Sequence, residues 1–397
     1  MNLGGIIHIG RRYLRQHRGK TALLVAAITC SLFLPLAIML TVQQAETHLR
    51  SRSASTPLLL GITGSPLELV FNGLYFSEPG LEPITAGEAR RPAEDGLADV
   101  IPIHARFEAR GFPIVGTSVE YFGFRGLRVA QGQRFLRLGD CVLGATVARE
   151  LDLGPGDTIR STPAQAFDLA GTYPLEMRIA GVLSPSGTVD DRAVFVDMPT
   201  TWIIEGIAHG HIEDVAEDEV LSREGDATIL NAKVTQFQRV TADNIASFHL
   251  HGDPETFPVT SAIVIPRDVP GSSAGTSETI LLGRYVGRRS TSQLIQPDAV
   301  MEQLFATVFQ VRNLVVTALA AVGIMAAGIA GLVFVLSNRL RAREFESLAN
   351  LGADRSAVAL LIGFEAIFVL GLSLVLTAIL VTALALAMPT LIPLVTR

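Results

Sequence analysis

Histidines are the first candidates for chemistry in this chain of 397 residues. His209-Gly-His211 and His249-Leu-His251 form two His-x-His pairs, with Glu213 and Asp214 beside the first. In an extended strand, residues i and i+2 project to one face, so each pair can offer two imidazoles to a single metal ion. Solvated loop histidines produce the same pattern, and nothing in the spacing brings the two pairs together, so no metal centre is assigned to them. Gly19-Lys20-Thr21 ends like a phosphate-binding loop, but Leu14 stands where its first glycine belongs and an apolar run follows. Lys233, the only other lysine, has no such setting, so the chain is not expected to bind ATP or another cofactor directly.

Nucleophilic chemistry fares no better. Gly271-Ser-Ser273-Ala-Gly275 matches the G-x-S-x-G of acyl hydrolases, yet it lies in a Gly/Ser-rich stretch several residues past a strand ending at Ile265. No apolar helix begins at the serine, and a flexible loop is the better reading. There is no His-Glu-x-x-His pair. Cys30 and Cys141 lie far apart in segments of different character and cannot make a disulfide framework or a zinc cluster by themselves. Cys30 reads as a small apolar filler. The chain is therefore expected to be non-catalytic.

The elements that carry these residues explain why. Half of the chain is apolar (49%), only 18% is charged, and the mean hydropathy is +0.40, which is too apolar for an ordinary soluble protein. The formal charge of −6 gives no global basic field for nucleic acid. Three stretches hold the excess: residues 21–42, 313–336 and 357–388, each long enough to cross a hydrocarbon core of about 30 Å as a helix. Pro35 can kink the first. That stretch reads as an uncleaved anchor rather than a signal peptide, since its apolar run is long and no small-x-small site follows. Arg11, Arg12, Arg15, Arg18 and Lys20 precede it, and Arg339, Arg341, Arg343 and Arg355 flank the gap between the second and third. By the positive-inside rule segments 1–20 and 337–356 are cytoplasmic, which puts 43–312 and the tail 389–397 outside. The acidic excess of the outer segment agrees with that asymmetry.

The fold expected is thus a membrane protein with three transmembrane helices and a large α+β domain inserted between helices 1 and 2. Ser65-Pro66-Leu67-Glu68 is a capping box opening a helix from Pro66 to about Tyr75. Short apolar runs broken by Gly and Pro predict strands at Phe112–Gly116, Cys141–Gly144, Met177–Leu183, Ala193–Val196 and Ala262–Ile265, with a helix near Ala145–Leu151. The acidic segment Glu205–Glu224 reads as a solvated, mobile loop. From Pro297 an apolar face at i, i+3, i+4 spacing predicts a helix running without a break into the second span.

Three membrane features remain. Glu365 is the single acid of the third span, and an ionisable residue in a bilayer is expected to be functional, paired, or placed at headgroup depth. Gly323, Ala327 and Gly331, at i, i+4, i+8, form a small-residue face on which another helix can pack. Asn338–Arg355 is polar, helical in propensity to Leu351 and stopped at Gly352, which suits either a surface for a protein partner or a plain solvated segment.

The order of these parts resembles the FtsX-like and MacB-like permease subunits of bacterial ABC transporters, which include the lipoprotein-release permeases. The residues that carry the likeness are Arg341-Ala-Arg343-Glu344, Leu348 and Leu351-Gly352-Ala353, then Glu365-Ala366. In the inserted domain they are Val142-Leu-Gly144, Val147-Ala148, Leu153-Gly-Pro-Gly156-Asp157, Ile179-Ala-Gly-Val-Leu183 and Val194-Phe-Val196. The resemblance implies a multi-pass protein of the bacterial inner membrane with a periplasmic domain, carrying no nucleotide itself. A separate ABC ATPase would bind ATP and Mg and dock on Arg341, Arg343, Glu344, Leu348, Leu351, Gly352 and Ala353, together with segment 11–20. It further implies a homodimer or a homologous permease as partner, membrane lipid around the spans, and a periplasmic or outer-membrane component. ATP-driven motion would pass to the periplasmic domain along rigid helices at 43–52 and 297–312. The family usually adds a fourth span after the third, whereas this sequence stops at Arg397, just after Pro389 and Pro393, as either a divergent three-span member or a chain missing its fourth helix would.

The implied function is export or extraction of a lipoprotein, peptide or other amphipathic substrate. The alternative is a signal relay that controls a periplasmic cell-wall hydrolase without transport. A third reading, a membrane-anchored metal-binding or sensory protein, would use the His-x-His pairs.

Overall fold

A computed structural model describes residues 3–94, 96–162, 174–210, 220–224, 227–230, 238–241, 244–250, 252–267, 275–286, 291–350 and 355–395. Its helices, in chain order, are α1 (Leu3–Gln16), α2 (Arg18–Ala54), α3 (Pro66–Tyr75), α4 (Ala86–Glu94), α5 (Glu120–Phe124), α6 (Ala145–Leu151), α7 (Met198–Ile204), α8 (Thr276–Tyr285), α9 (Pro297–Leu340), α10 (Ala342–Asn350) and α11 (Arg355–Val395). The chain divides into two compact units, Met1–Ser51 with Glu302–Arg397, and Arg52–Met301.

In the helical unit, α2, α9 and α11 are each long and apolar enough to cross a membrane. Their apolar side chains face outward: Leu23, Ile324, Leu332, Ile367 and Leu386 are all at least 70% exposed. Surfaces of that kind need a partner other than water. Helices α2 and α11 run parallel. Leu24 and Val25 pack on Val369, and Ser373 Oγ donates to the Val25 carbonyl at 3.4 Å. Helix α9 runs the opposite way, with Ser337 bonded to Lys20 and Gly323 facing Ser31. Helix α2 is unbroken through Pro35. Residues 389–395, expected as a tail, continue α11 through Pro389 and Pro393. Proline removes one helical hydrogen bond, but in apolar surroundings the other backbone groups find partners only by staying helical.

Among the described residues, the second unit is built on a mixed sheet of eleven strands. Its central path runs Gln238–Arg239, Leu175–Leu183, Asp140–Leu143, Val194–Asp197, Phe112–Thr117, Ala98–Ala109, Ser261–Pro266, Leu58–Ile62 and Ser292–Ile295, and Val129–Gly132 and Thr158–Arg160 also pair with Leu175–Leu183. All five strands expected from sequence are in it. So are the long strand Ala98–Ala109 and the strand Leu58–Ile62, neither of which was expected. Period-two alternation decides what each strand buries. Leu58 and Leu60 join Ala98, Ala262 and Val264 in one core with Ala89 of α4 and Leu281 of α8. Leu59 stands on the opposite face, where α3 packs so closely that a Cβ on Gly73 would lie 3.1 Å from Leu59 Cδ1. All three leucines are fully buried, each stabilising by about 1.5–3 kcal/mol. A second core gathers Phe107, Ile114, Cys141, Leu143, Val147 and Met177 around α6 and α7.

The capping box is present: Ser65 Oγ accepts the Glu68 N–H at 3.3 Å, opening α3. The expected loop Glu205–Glu224 is corrected at both ends. Ala208–Gly210 pairs with Phe248–Leu250, and Val220–Glu224 pairs with Ala227–Leu230. Backbone pairing there overrides a composition poor in strand formers. Residues 211–219 lie outside the described residues.

Candidate functional site

The proposed docking segment separates into inward and outward parts. Helix α10 follows a turn at Arg341, and Arg341 is buried rather than presented to a partner. Its Nη1 donates to both carboxylate oxygens of Glu365, at 2.9 and 3.1 Å. The guanidinium also stacks over the Tyr13 ring, 3.6 Å from its centroid. Glu365 is 2% exposed, so of its sequence readings the paired one describes what it touches. Removing either charge would strand the other out of water, at about 3–5 kcal/mol. The pair ties the α9–α10 turn to α11, and Tyr13 ties α1 to both. Arg343 is exposed on α10 and so is Glu346. Glu344 and Leu348 also stand on α10, while Leu351, Gly352 and Ala353 fall outside the described residues.

Of the small-residue face on α9, only Gly323 packs within the chain, with its Cβ position 3.6 Å from Ser31 Cβ. Ala327 and Gly331 are exposed, and the half-buried positions are Gly323, Ala326, Ala330 and Phe334. Their spacing of three and four residues defines the in-chain packing stripe, and Ala330 meets the Leu24, Val25 and Val369 cluster.

Within the second unit, the last turn of α2 carries a charge cluster that sequence reasoning missed. Arg52 is 7% exposed and Asp190 is 1% exposed. The guanidinium grips the carboxylate through both terminal nitrogens, at 2.6 and 2.9 Å. It also donates to the Tyr121 hydroxyl at 2.6 Å, and that hydroxyl donates to Asp190 at 2.7 Å. The Arg52 Nε–H goes to the Leu74 carbonyl at the end of α3, and Thr188 Oγ1 donates to Asp190 at 2.8 Å. Burial opposes ionisation of Asp190, but the Arg52 charge and the bonds from Arg52, Tyr121 and Thr188 outweigh it and hold the carboxyl below its usual range. Burial likewise opposes the charge on Arg52, and Tyr121 and Asp190 more than restore it. Burial pushes the Tyr121 hydroxyl up. At Tyr75 nearby the same cause raises the pKa to about 12. Arg125, half-buried, bonds Thr56 at 2.9 Å and Ser55 at 3.1 Å, clamping the residues that follow α2. The only sequence signal for this cluster was Thr188-Val-Asp190, whose hydroxyl caps a short turn. That signal marks a local fold and says nothing of Arg52, well over a hundred residues away.

Other sequence candidates are placed as follows. The Gly19-Lys20-Thr21 segment lies at the start of helix α2, where the Thr21 amide donates to the His17 carbonyl at 3.1 Å. That amide is spent inside the helix rather than offered to a phosphate. Ser273 is outside the described residues, and α8 begins at Thr276. Cys141 is buried, and burial raises its thiol pKa, so it is unreactive. His209 and His249 are backbone partners in one antiparallel ladder, whereas His211 and His251 are outside the described residues. Among the described residues no group of three metal-ligating side chains occurs.

The model of the MacB-like periplasmic core domain matches residues 21–223, just over half of the chain. Among solved structures, the periplasmic region of MacB from Actinobacillus actinomycetemcomitans is similar at 9% identity, with a TM-score of 0.36, over 63% of this chain and 92% of that one. The extracellular domain of the noncanonic ABC-type transporter YknZ from Gram-positive bacteria is similar at 12% identity, with a TM-score of 0.33, over 60% of this chain and 98% of that one. No curated protein matches the chain.

Proposed function

The chain belongs to the family of the MacB-like periplasmic core domain, and from that premise we propose that it is the permease subunit of an ABC transporter in a bacterial inner membrane. In this reading α2, α9 and α11 cross the bilayer, the Arg52–Met301 unit is periplasmic, and α10 with the basic residues of α1 faces the cytoplasm. ATP and Mg bind to a separate ATPase subunit that docks on α10. The work done is export or extraction of an amphipathic substrate such as a lipoprotein or peptide.

The observation that carries the coupling step is the Arg52 lock. Helix α2 is continuous from Arg18 to Ala54, and its last turn is held in the folded domain by a buried, bidentate ion pair. In this reading the anchored last turn is where displacement enters the domain, provided that nucleotide binding biases two states. Arg341 and Glu365 do the corresponding work at the other end by fixing the α9–α10 turn to α11.

The test is purification of the tagged full-length chain from native membranes in mild detergent, with mass spectrometry of what accompanies it. Recovery of an ATP-binding-cassette subunit, lost on Arg343→Glu with Glu344→Lys, is the expected result. If no such ATPase is recovered under conditions that keep other membrane complexes intact, the permease reading fails.

A further inference from the structure

The helical unit contains a groove of about 880 Å³ between α1, α2 and α11, and the residues along it are sorted by chemistry. Its long walls are apolar apart from Thr29, running from Ala22 to Phe33 on α2 and from Phe368 to Leu380 on α11. At one end stand Arg11, Arg15 and Arg18, and among the described residues no acidic side chain lines the groove. The three arginines are exposed; Arg11 and Arg15, four residues apart, share a face of α1, and Arg18 opens α2 just past it. Arg18 Nε donates to the Arg15 carbonyl at 3.0 Å, which holds two of them together.

Length selects the occupant. At about 1.5 Å per residue the α2 wall spans roughly 17 Å and the α11 wall roughly 18 Å. One leaflet of hydrocarbon is about half of the roughly 30 Å core. A further spanning helix would need a groove about twice as long. The cationic end needs an anion, and the groove beyond it needs hydrocarbon.

We propose that this groove is a binding site for an anionic phospholipid of the leaflet that borders α1. Its phosphate sits among Arg11, Arg15 and Arg18, and acyl chain fills the space between α2 and α11. The proposal rests on the membrane reading of α2 and α11 but on no ATPase, so its failure and that of the permease assignment are separable. Arg12, the remaining arginine of α1, does not line the groove and serves as the control.

The test uses the full-length chain in a neutral detergent, where no lipid surface supplies a background field. Native mass spectrometry titrates it with phosphatidylglycerol or with phosphatidylcholine of the same acyl chains. Saturable binding of phosphatidylglycerol is expected, with phosphatidylcholine weaker by about tenfold or more. Arg11→Gln, Arg15→Gln and Arg18→Gln together should weaken phosphatidylglycerol by about a hundredfold, while Arg12→Gln leaves it unchanged. Leu376→Trp, which narrows the groove without altering charge, should also block binding. Cys30 lines the groove and is exposed, so an apolar maleimide should label it more slowly when phosphatidylglycerol is present. Equal binding of the two lipids, or equal losses from Arg12→Gln and the triple variant, would overturn the site. Cys30-to-Cys30 crosslinking in the membrane with no lipid protection would show that a second copy occupies the groove instead, and overturns it too.

Discussion

Arg52 and Asp190 are two charges that neither water nor a polar surface can stabilise, since both are almost wholly buried. Each is stable in place only through the other and through Tyr121. Arg52→Ala should therefore destabilise the inserted domain by about 3–5 kcal/mol in urea unfolding. Arg52→Met combined with Asp190→Leu and Tyr121→Phe should recover most of that loss, because an apolar set of similar volume has no charge to desolvate. If the triple variant remains folded but no longer couples to ATP hydrolysis, the ion pair serves transmission rather than stability. The pH dependence has a definite sign. Asp190 is held below its usual range when folded, so its contribution is complete above the unfolded carboxyl value of about 4. That contribution is lost as pH falls from there through the lower folded value. Urea midpoints measured down this window should drop steeply for the parent chain, and Asp190→Asn should flatten the slope.

At the scale of elements, the helices differ in what holds them. Helix α3 is anchored by its own sequence, through the Ser65 cap and the Gly73 approach to the sheet. Ser65→Ala should cost about 1 kcal/mol of domain stability, and Gly73→Leu considerably more, since its Cβ would lie 2.6 Å from Ser261 Oγ. Gly144 is a comparable close approach, where a Cβ would run into the carbonyls of Asp190 and Asp191. Helix α10 is short, and Arg341 at its start is bound to Glu365 of α11. Glu344→Lys should abolish coupling of the partner's ATP hydrolysis while leaving thermal unfolding of the inserted domain within about 0.5 kcal/mol of the parent. Coupling retained in that variant would remove α10 from the docking surface.

At the scale of the molecule, the two units differ in solvent requirement. The Arg52–Met301 unit closes its own cores around an eleven-stranded sheet. Expressed alone from Arg52, it should be soluble without detergent and unfold cooperatively. A version begun at Ser55, which lacks Arg52, should unfold at distinctly lower urea, because Asp190 loses its counter-charge. The helical unit, with apolar residues exposed along all three long helices, should precipitate when detergent is removed.

Local and periodic features were legible in the amino-acid sequence. The three apolar stretches, the break-free helix from Pro297, the α3 capping box and the five short strands depend on neighbours within a few residues, and composition reports those directly. The strands Leu58–Ile62 and Ala98–Ala109 were less legible. The first is an unbroken apolar run with no alternation, and the second opens irregularly through Asp99 and Pro102, although Ile103–Ala109 alternates apolar and polar residues as a half-buried strand does. What sits opposite what was decided only by the tertiary structure. Arg52 finds Asp190 across 138 positions of chain, and Arg341 finds Glu365 across 24. Arg11, Arg15 and Arg18 become one end of an apolar groove only when α11 lies beside α2. Burial, and with it the energetic weight of every charge, is a property of packing between distant segments, and no spacing along a single chain encodes it.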